Sequence, residues 1–101
     1  MRQRGDVFWG WADPVLHSRM HVETLDDGTL IDVQVRLSRT GATQMFIGIY
    51  DGCGVALHEE AYEARPGETM TRALVWGVGR ARTILVEGLP ASMQKAAAAS
   101  K

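Results

Sequence analysis

Apolar residues recur at spacings of three and four between Met70 and Leu85, and this pattern constrains the fold more than any other feature. The stripe consists of Met70, Ala73, Leu74, Gly77, Val78, Ala81, Ile84 and Leu85. Such spacing over four turns predicts an amphipathic helix, at about residues 67–87, that packs one side against a core. Thr69 or Gly67 can cap its start, and Gly88 is a suitable residue to end it.

Gly77 and Gly79 are the weak point of one continuous helix, because each glycine costs about 1 kcal/mol relative to alanine in a helix interior. Gly77 lies on the apolar stripe, where a missing side chain would permit close approach of the helix to a sheet. The alternative breaks the helix at these two glycines and makes residues 83–87 a strand.

Upstream of the helix, apolar and polar residues alternate, which predicts antiparallel strands. The apolar positions are Ile31, Val33, Val35 and Leu37 in one strand, and Met45, Ile47 and Ile49 in the next. Asp27-Gly28 predicts a hairpin turn before them, since glycine tolerates a positive φ. A strand is favoured at about 19–25, although Asp13-Pro14 can also begin a helix there. Val7, Trp9 and Trp11 alternate as in a short strand.

These patterns predict an α+β fold in which a three- to five-stranded antiparallel meander is followed by one long helix packed on one face. Residues 1–6 are expected to form a flexible arm, residues 7–89 a single domain, and residues 90–101 a C-terminal helix or tail. The chain has 101 residues, 46% of them hydrophobic, which is an ordinary composition for one globular domain.

Charge and cysteine content exclude some classes of protein. The net charge of −1 does not indicate a strongly basic nucleic-acid binder. Cys53 is the single cysteine, so no internal disulfide can form. The amino-terminal residues lack the apolar core of a signal peptide, and no run approaches the ~18 apolar residues of a membrane helix. A cytoplasmic location is expected.

One candidate contact surface lies on the solvent side of the predicted helix. Arg72, Trp76 and Arg80 are four residues apart, so both arginines can stack on the indole. Trp9 and Trp11 offer a second aromatic patch. Because tryptophan and arginine are enriched in binding hot spots, the leading hypothesis is a non-enzymatic module that self-associates or binds a protein, as an adaptor, inhibitor or antitoxin does. In the alternative, Trp76 packs under the amino-terminal strand or the carboxyl-terminal tail.

A second hypothesis is nucleic-acid binding by an open sheet face. Alternation places arginine and aromatic side chains on the face away from the helix, namely Arg36, Phe46 and Tyr50, with His58 beside them. Such side chains can contact phosphates and stack on bases. In the alternative, this face is solvated, or the amino-terminal aromatic segment or a second subunit covers it. Nearby acidic residues would repel phosphate; these are Asp32, Glu59, Glu60 and Glu63.

Catalytic and metal-binding patterns are weak. Cys53 could act as a nucleophile with His58 as its base, which would make the chain a small enzyme or accessory subunit. Asp13, His17 and His21 share a four-residue spacing that would suit a metal only on a helix. No enzyme activity, metal or cofactor is therefore expected.

The segment Gly67–Leu74, which follows a strand pair, resembles the step from sheet to helix in small sheet-plus-helix antitoxins. The order of three strands and a helix also resembles double-stranded-RNA-binding domains and the arm-binding domains of phage integrases. Neither resemblance assigns a role to any residue of this chain.

Overall fold

The computed structural model describes residues 3–13 and 15–88, so the predicted helix or tail at 90–101 lies outside the described residues. The elements in chain order are α1 (Asp6–Trp11), β1 (Ser18–Thr24), β2 (Leu30–Leu37), β3 (Thr43–Tyr50), β4 (Ala56–Tyr62) and α2 (Met70–Glu87). The predicted α+β class, with an antiparallel meander followed by a long helix, is confirmed. None of the described helices is long and apolar enough to cross a membrane.

The four strands form one antiparallel sheet in the order β1-β2-β3-β4, which leaves β1 and β4 at its edges. The predicted strand at 19–25 is β1, and its register with β2 is continuous from Ser18 opposite Arg36 to Thr24 opposite Leu30. Gly28 has a φ of 89°, as the hairpin turn between these strands requires.

The main core lies between α2 and the face of the sheet that α2 covers, here called the inner face. Its strand residues are Ile31, Val33 and Val35 of β2 with Met45, Ile47 and Ile49 of β3, all fully buried. Ala73, Ala81 and Ile84 are the buried side chains of α2. Thr69 caps the helix, since its hydroxyl accepts a hydrogen bond from the Arg72 amide at 3.1 Å.

Helix α2 is continuous from Met70 to Glu87, so the alternative that breaks it at the glycines is wrong. A Cβ atom at Gly77 would lie 2.6 Å from Val33 Cγ1 and 2.8 Å from Met45 Sδ. Glycine at this position therefore lets the helix backbone approach the sheet. A Cβ atom at Gly79 would meet nothing within 4 Å.

The opposite face of the sheet, here called the outer face, is partly covered by α1 and the residues before it. The strand predicted over Val7, Trp9 and Trp11 is wrong, because residues 6–11 form a helix. Phe8 lies edge-on to Phe46 with ring centroids 5.1 Å apart, and Trp11 lies 5.8 Å from the same ring. Contacts of Phe8 and Trp11 with Phe46 thus hold α1 on the sheet.

Residues 3–5 also contact the sheet, where the sequence predicts part of a flexible arm. Gln3 forms a bridge with Val55 beside β4, and the Gly5 amide donates a hydrogen bond to Glu59 at 3.0 Å. Arg4 forms an ion pair with Asp32. These contacts attach the start of the described chain to both β2 and the β4 side.

Candidate protein-binding surface

Trp76 is half-exposed, and its ring contacts are not those predicted. Its ring lies edge-on to Tyr62, with centroids 5.6 Å apart, and the Arg65 guanidinium lies 4.0 Å from its centroid. Arg72 is exposed, and Arg80 is directed to a different partner. The predicted stack of two arginines on Trp76 is therefore replaced by a single cation–π contact from Arg65.

Glu60 organises a polar cluster between β4 and α2. Its carboxylate accepts hydrogen bonds from Arg80 at 2.7 Å and from the Tyr62 hydroxyl at 2.8 Å, and it lies 2.8 Å from His58 Nε2. Partial burial opposes ionisation of Glu60, but the bonds from Arg80, His58 and Tyr62 outweigh it and lower its pKa to about 2. Burial, and then the bond to this carboxylate, raises the pKa of Tyr62.

His58 belongs to this cluster, so its predicted place on the outer face is wrong. It pairs with Ile49 across the ladder, and Ile49 is an inner-face residue. The side chain is buried, with 8% of its surface exposed. The four residues of the predicted nucleic-acid site are therefore divided between two faces of the sheet.

The other three residues of that site lie on the outer face but are not open to solvent. Phe46 and Tyr50 have no exposed surface, and Arg36 retains 6%. The Tyr50 hydroxyl donates to Glu59 at 2.8 Å and accepts from Arg4 at 2.9 Å. Burial, opposed by the bond from Arg4, raises the pKa of Tyr50. The outer face is therefore not open: α1 and Arg4 cover its aromatic residues, as in the alternative in which the amino-terminal aromatic segment lies over this face.

Trp9 and Trp11 have different environments, although the sequence placed them in one patch. Trp11 is 7% exposed and lies beneath Arg36, whose guanidinium is 3.8 Å from its ring centroid. Burial lowers the pKa of Arg36. Trp9 is 66% exposed on the solvent side of α1. Only Trp9 can therefore meet a partner while α1 remains on the sheet.

The residues considered for catalysis and metal binding either interact with other side chains or lie apart from one another. Cys53 is exposed in the turn before β4, where its amide donates to Asp51 Oδ1 at 2.8 Å. His58 is held by Glu60, and His21 lies 3.1 Å from Glu23. Within residues 3–13 and 15–88, no group of three or more potential metal ligands comes together.

The two edges of the sheet differ in what accompanies them. At β4, Gln3 bridges Val55, the residue before the strand, and the Gly5 amide donates to the Glu59 side chain; no other described residue forms a bridge to the outer side of β4. No described residue pairs with the outside of β1, which has seven residues and no bulge. Among the described residues, the peptide groups along the outer side of β1 therefore have no partner.

The direction of those peptide groups follows from the hairpin that joins β1 to β2. The Leu25 amide donates to the Thr29 carbonyl at 2.7 Å, so Leu25 directs its peptide groups toward β2. Peptide groups alternate in direction along a strand, which turns those of His21 and Glu23 toward β2 as well. The even-numbered residues of β1 therefore direct N–H and C=O outward; these are Ser18, Met20, Val22 and Thr24.

Apolar surface accompanies this edge on both faces of the sheet. Met20 and Val22 are 58% and 43% exposed on the outer face. A groove between α1 and the β1–β2 strands, here called the outer groove, is lined in part by Trp9, Trp11, Ser18 and Gln34. On the inner face, a groove between α2 and β1, here called the inner groove, is lined by His21, Leu74, Val75, Val78, Gly79 and Arg82.

The comparisons with known proteins found no matching family model, no matching curated protein and no matching solved structure. The β1 edge was not among the sites predicted from the sequence. Its signal is nevertheless present, because Met20 and Val22 alternate with Arg19, His21 and Glu23 in a strand that has neither proline nor lysine. That composition lacks two common means by which natural edge strands avoid pairing.

Proposed function

We propose that this chain is a small protein-binding module whose binding surface is the β1 edge together with the grooves on its two sides. The observation that carries the proposal is the unpaired, regular strand at Ser18–Thr24, with two exposed apolar side chains on one face. An extended segment of a protein partner would add to the sheet beyond β1. Main-chain hydrogen bonds would supply affinity, and the grooves would select side chains.

The charged side chains of β1 leave this edge accessible. Glu23 accepts a hydrogen bond from Arg82 at 2.6 Å, and the Arg19 guanidinium lies 3.3 Å from the Thr71 hydroxyl. Both contacts run inward to α2, across the inner face. They keep the two side chains beside the edge without covering the outward peptide groups of Met20 and Val22.

The rest of the fold supports a rigid binding strand. Helix α2 packs on β2 and β3 and also contacts β1, while α1 packs on β3 and β4 from the other face. A partner would therefore meet a strand already held in its binding conformation, and preorganisation of this kind reduces the entropy lost on association.

Site-specific crosslinking tests this proposal. A photoreactive p-benzoylphenylalanine replaces Met20 on the β1 edge, and in a matched control it replaces Leu37, which is 46% exposed at the end of β2. The proposal predicts that irradiation of native cells producing the protein yields a discrete protein adduct for position 20 and none for position 37. The absence of any adduct at position 20, or equal adducts at both positions, would reject it.

A further inference from the structure

We propose that the segment that pairs with β1 is the β1 strand of a second copy, antiparallel to the first, with the two His21 residues opposite each other. This inference rests on the proposed function, because it names the occupant of the same edge. The two sheets would then join into one continuous eight-stranded sheet around a two-fold axis at His21.

The direction of the peptide groups permits this register. Antiparallel strands exchange hydrogen bonds only where both residues direct their peptide groups toward each other. With His21 on the axis, Met20 lies opposite Val22 of the second copy, and Ser18 lies opposite its Thr24. All four residues direct their peptide groups outward, so all seven residues of β1 overlap and every outward N–H and C=O has a partner.

The charges favour the same register. Arg19 lies opposite Glu23 of the second copy, and the symmetry repeats this pair on the other side of the axis. These are positions without hydrogen bonds between them, where facing side chains are closest. A shift of two residues would place Arg19 opposite His21 in one direction and opposite Leu25 in the other, and both shifts separate it from Glu23.

The apolar groups also match across the axis. On the outer face, Met20 and Val22 of each copy would cover their counterparts, which removes exposed side chains from water. On the inner face, His21 lines the inner groove of each copy, so the two inner grooves would meet at the axis. Val75, which is 70% exposed on the wall of that groove, would face the space between the two α2 helices.

Charge reversal with complementation tests the register. Arg19→Glu places two glutamates opposite each other twice in each dimer, and Glu23→Arg does the same with arginines. Each variant alone is expected to dimerise roughly tenfold more weakly than the wild type at low salt. In an equimolar mixture, every Arg19→Glu chain can pair with a Glu23→Arg chain so that both facing pairs are again opposite in charge, which restores dimers to near the wild-type level.

Sedimentation velocity over a range of protein concentrations measures these populations. Because Glu23 also contacts Arg82 within its own chain, circular dichroism melts report the stability of each variant separately. Loss of the contact with Arg82 weakens the Glu23→Arg chain equally when it is alone and when it is mixed. Recovery of dimers on mixing can therefore come only from pairing between the two variants.

A wild-type chain that is monomeric at all concentrations would overturn the inference, and so would dimers that the variants leave unchanged or that mixing fails to restore. If the inference fails while position 20 still crosslinks to a different protein, the proposed function stands and its partner is not a second copy. A monomer without an adduct at position 20 would reject both.

Discussion

Two glycines of α2, only two residues apart, have opposite surroundings. Gly77 lies where a Cβ atom would overlap Val33 and Met45, and Gly79 lies where a Cβ atom would meet open space. The apolar stripe of the sequence already indicates a close approach at Gly77, because that position faces the sheet. It gives no reason for Gly79, and the structure supplies none in packing.

Alanine substitutions at these glycines should therefore have effects of opposite sign. Gly77→Ala is expected to destabilise the fold by about 1–3 kcal/mol, because overpacking outweighs the gain in helix propensity. Gly79→Ala is expected to stabilise it by up to about 1 kcal/mol, since only the propensity term applies. Urea denaturation of both variants measures the changes in the free energy of unfolding. Equal effects of the two substitutions would contradict the described seating of α2 on the sheet.

At the scale of elements, β4 and α2 are joined by the Glu60 cluster as well as by apolar contacts. Glu60 and Tyr62 project from β4 on the inner face, and Arg80 reaches them from α2. The sequence does not predict that these residues come together, because the turn before β4 decides on which face of the sheet each of its side chains lies. The β3–β4 ladder shifts register between Ile49 and Tyr50. Next to this shift, His58 lies on the inner face and not on the predicted outer face.

The Glu60 cluster should make stability depend on pH in the acid range. The pKa of Glu60 is about 2 in the folded chain, against an ordinary value of 4.5. The contribution of its carboxylate to the free energy of unfolding is therefore full above pH 4.5 and is lost as the pH falls toward 2. Glu60→Gln is expected to cost about 1–2 kcal/mol at pH 6, after solvent screening is allowed for, and the difference from wild type should narrow by pH 2. Urea titrations of both proteins between pH 2 and 6 measure this difference in the free energy of unfolding.

Glu63→Gln is the matched control for this experiment, since Glu63 is exposed one residue beyond β4. It should leave the free energy of unfolding nearly unchanged at every pH. A Glu60→Gln variant whose deficit stays constant from pH 6 to pH 2 would show that the carboxylate charge contributes nothing to the cluster.

Helix α1 shows why short segments are hard to predict. Over five residues, the alternation of Val7, Trp9 and Trp11 fits a strand, but Phe8 and Trp11 are also three apart and share one side of a helix. Both contact Phe46 in the folded chain. The contact with Phe46 favours the helix over the strand. A prediction from the spacing of nearby residues cannot include this contact, because Phe46 is distant in the sequence. The four-turn stripe of α2 has no such ambiguity.

For the whole molecule, the meander and the long helix are predictable because hydrophobic alternation, the Asp27-Gly28 turn and the helical stripe all agree. The proposed binding surface is harder to predict from the sequence. Which strand becomes a free edge depends on the order of strands in the sheet and on what the amino-terminal segment contacts. Residues 3–5 contact Val55, just before β4, and the Glu59 side chain, and the β3–β4 ladder carries a register shift. Strand β1 is regular over its seven residues, and no described residue pairs with its outer side. Of the contact surface predicted on α2, Trp76 contacts Tyr62 and Arg80 pairs with Glu60 within the chain, while Arg72 is exposed.

Amide hydrogen exchange along β1 tests the pairing of two copies at this edge most directly. The amides of His21 and Glu23 point toward β2 and should be protected at every concentration, while those of Met20 and Thr24 should become protected only as the concentration rises. Val22→Pro removes an outward N–H without touching the β1–β2 ladder, so it should abolish that concentration dependence and preserve protection at His21. Exchange at Met20 that is equally fast at all concentrations would contradict the pairing of two copies through β1.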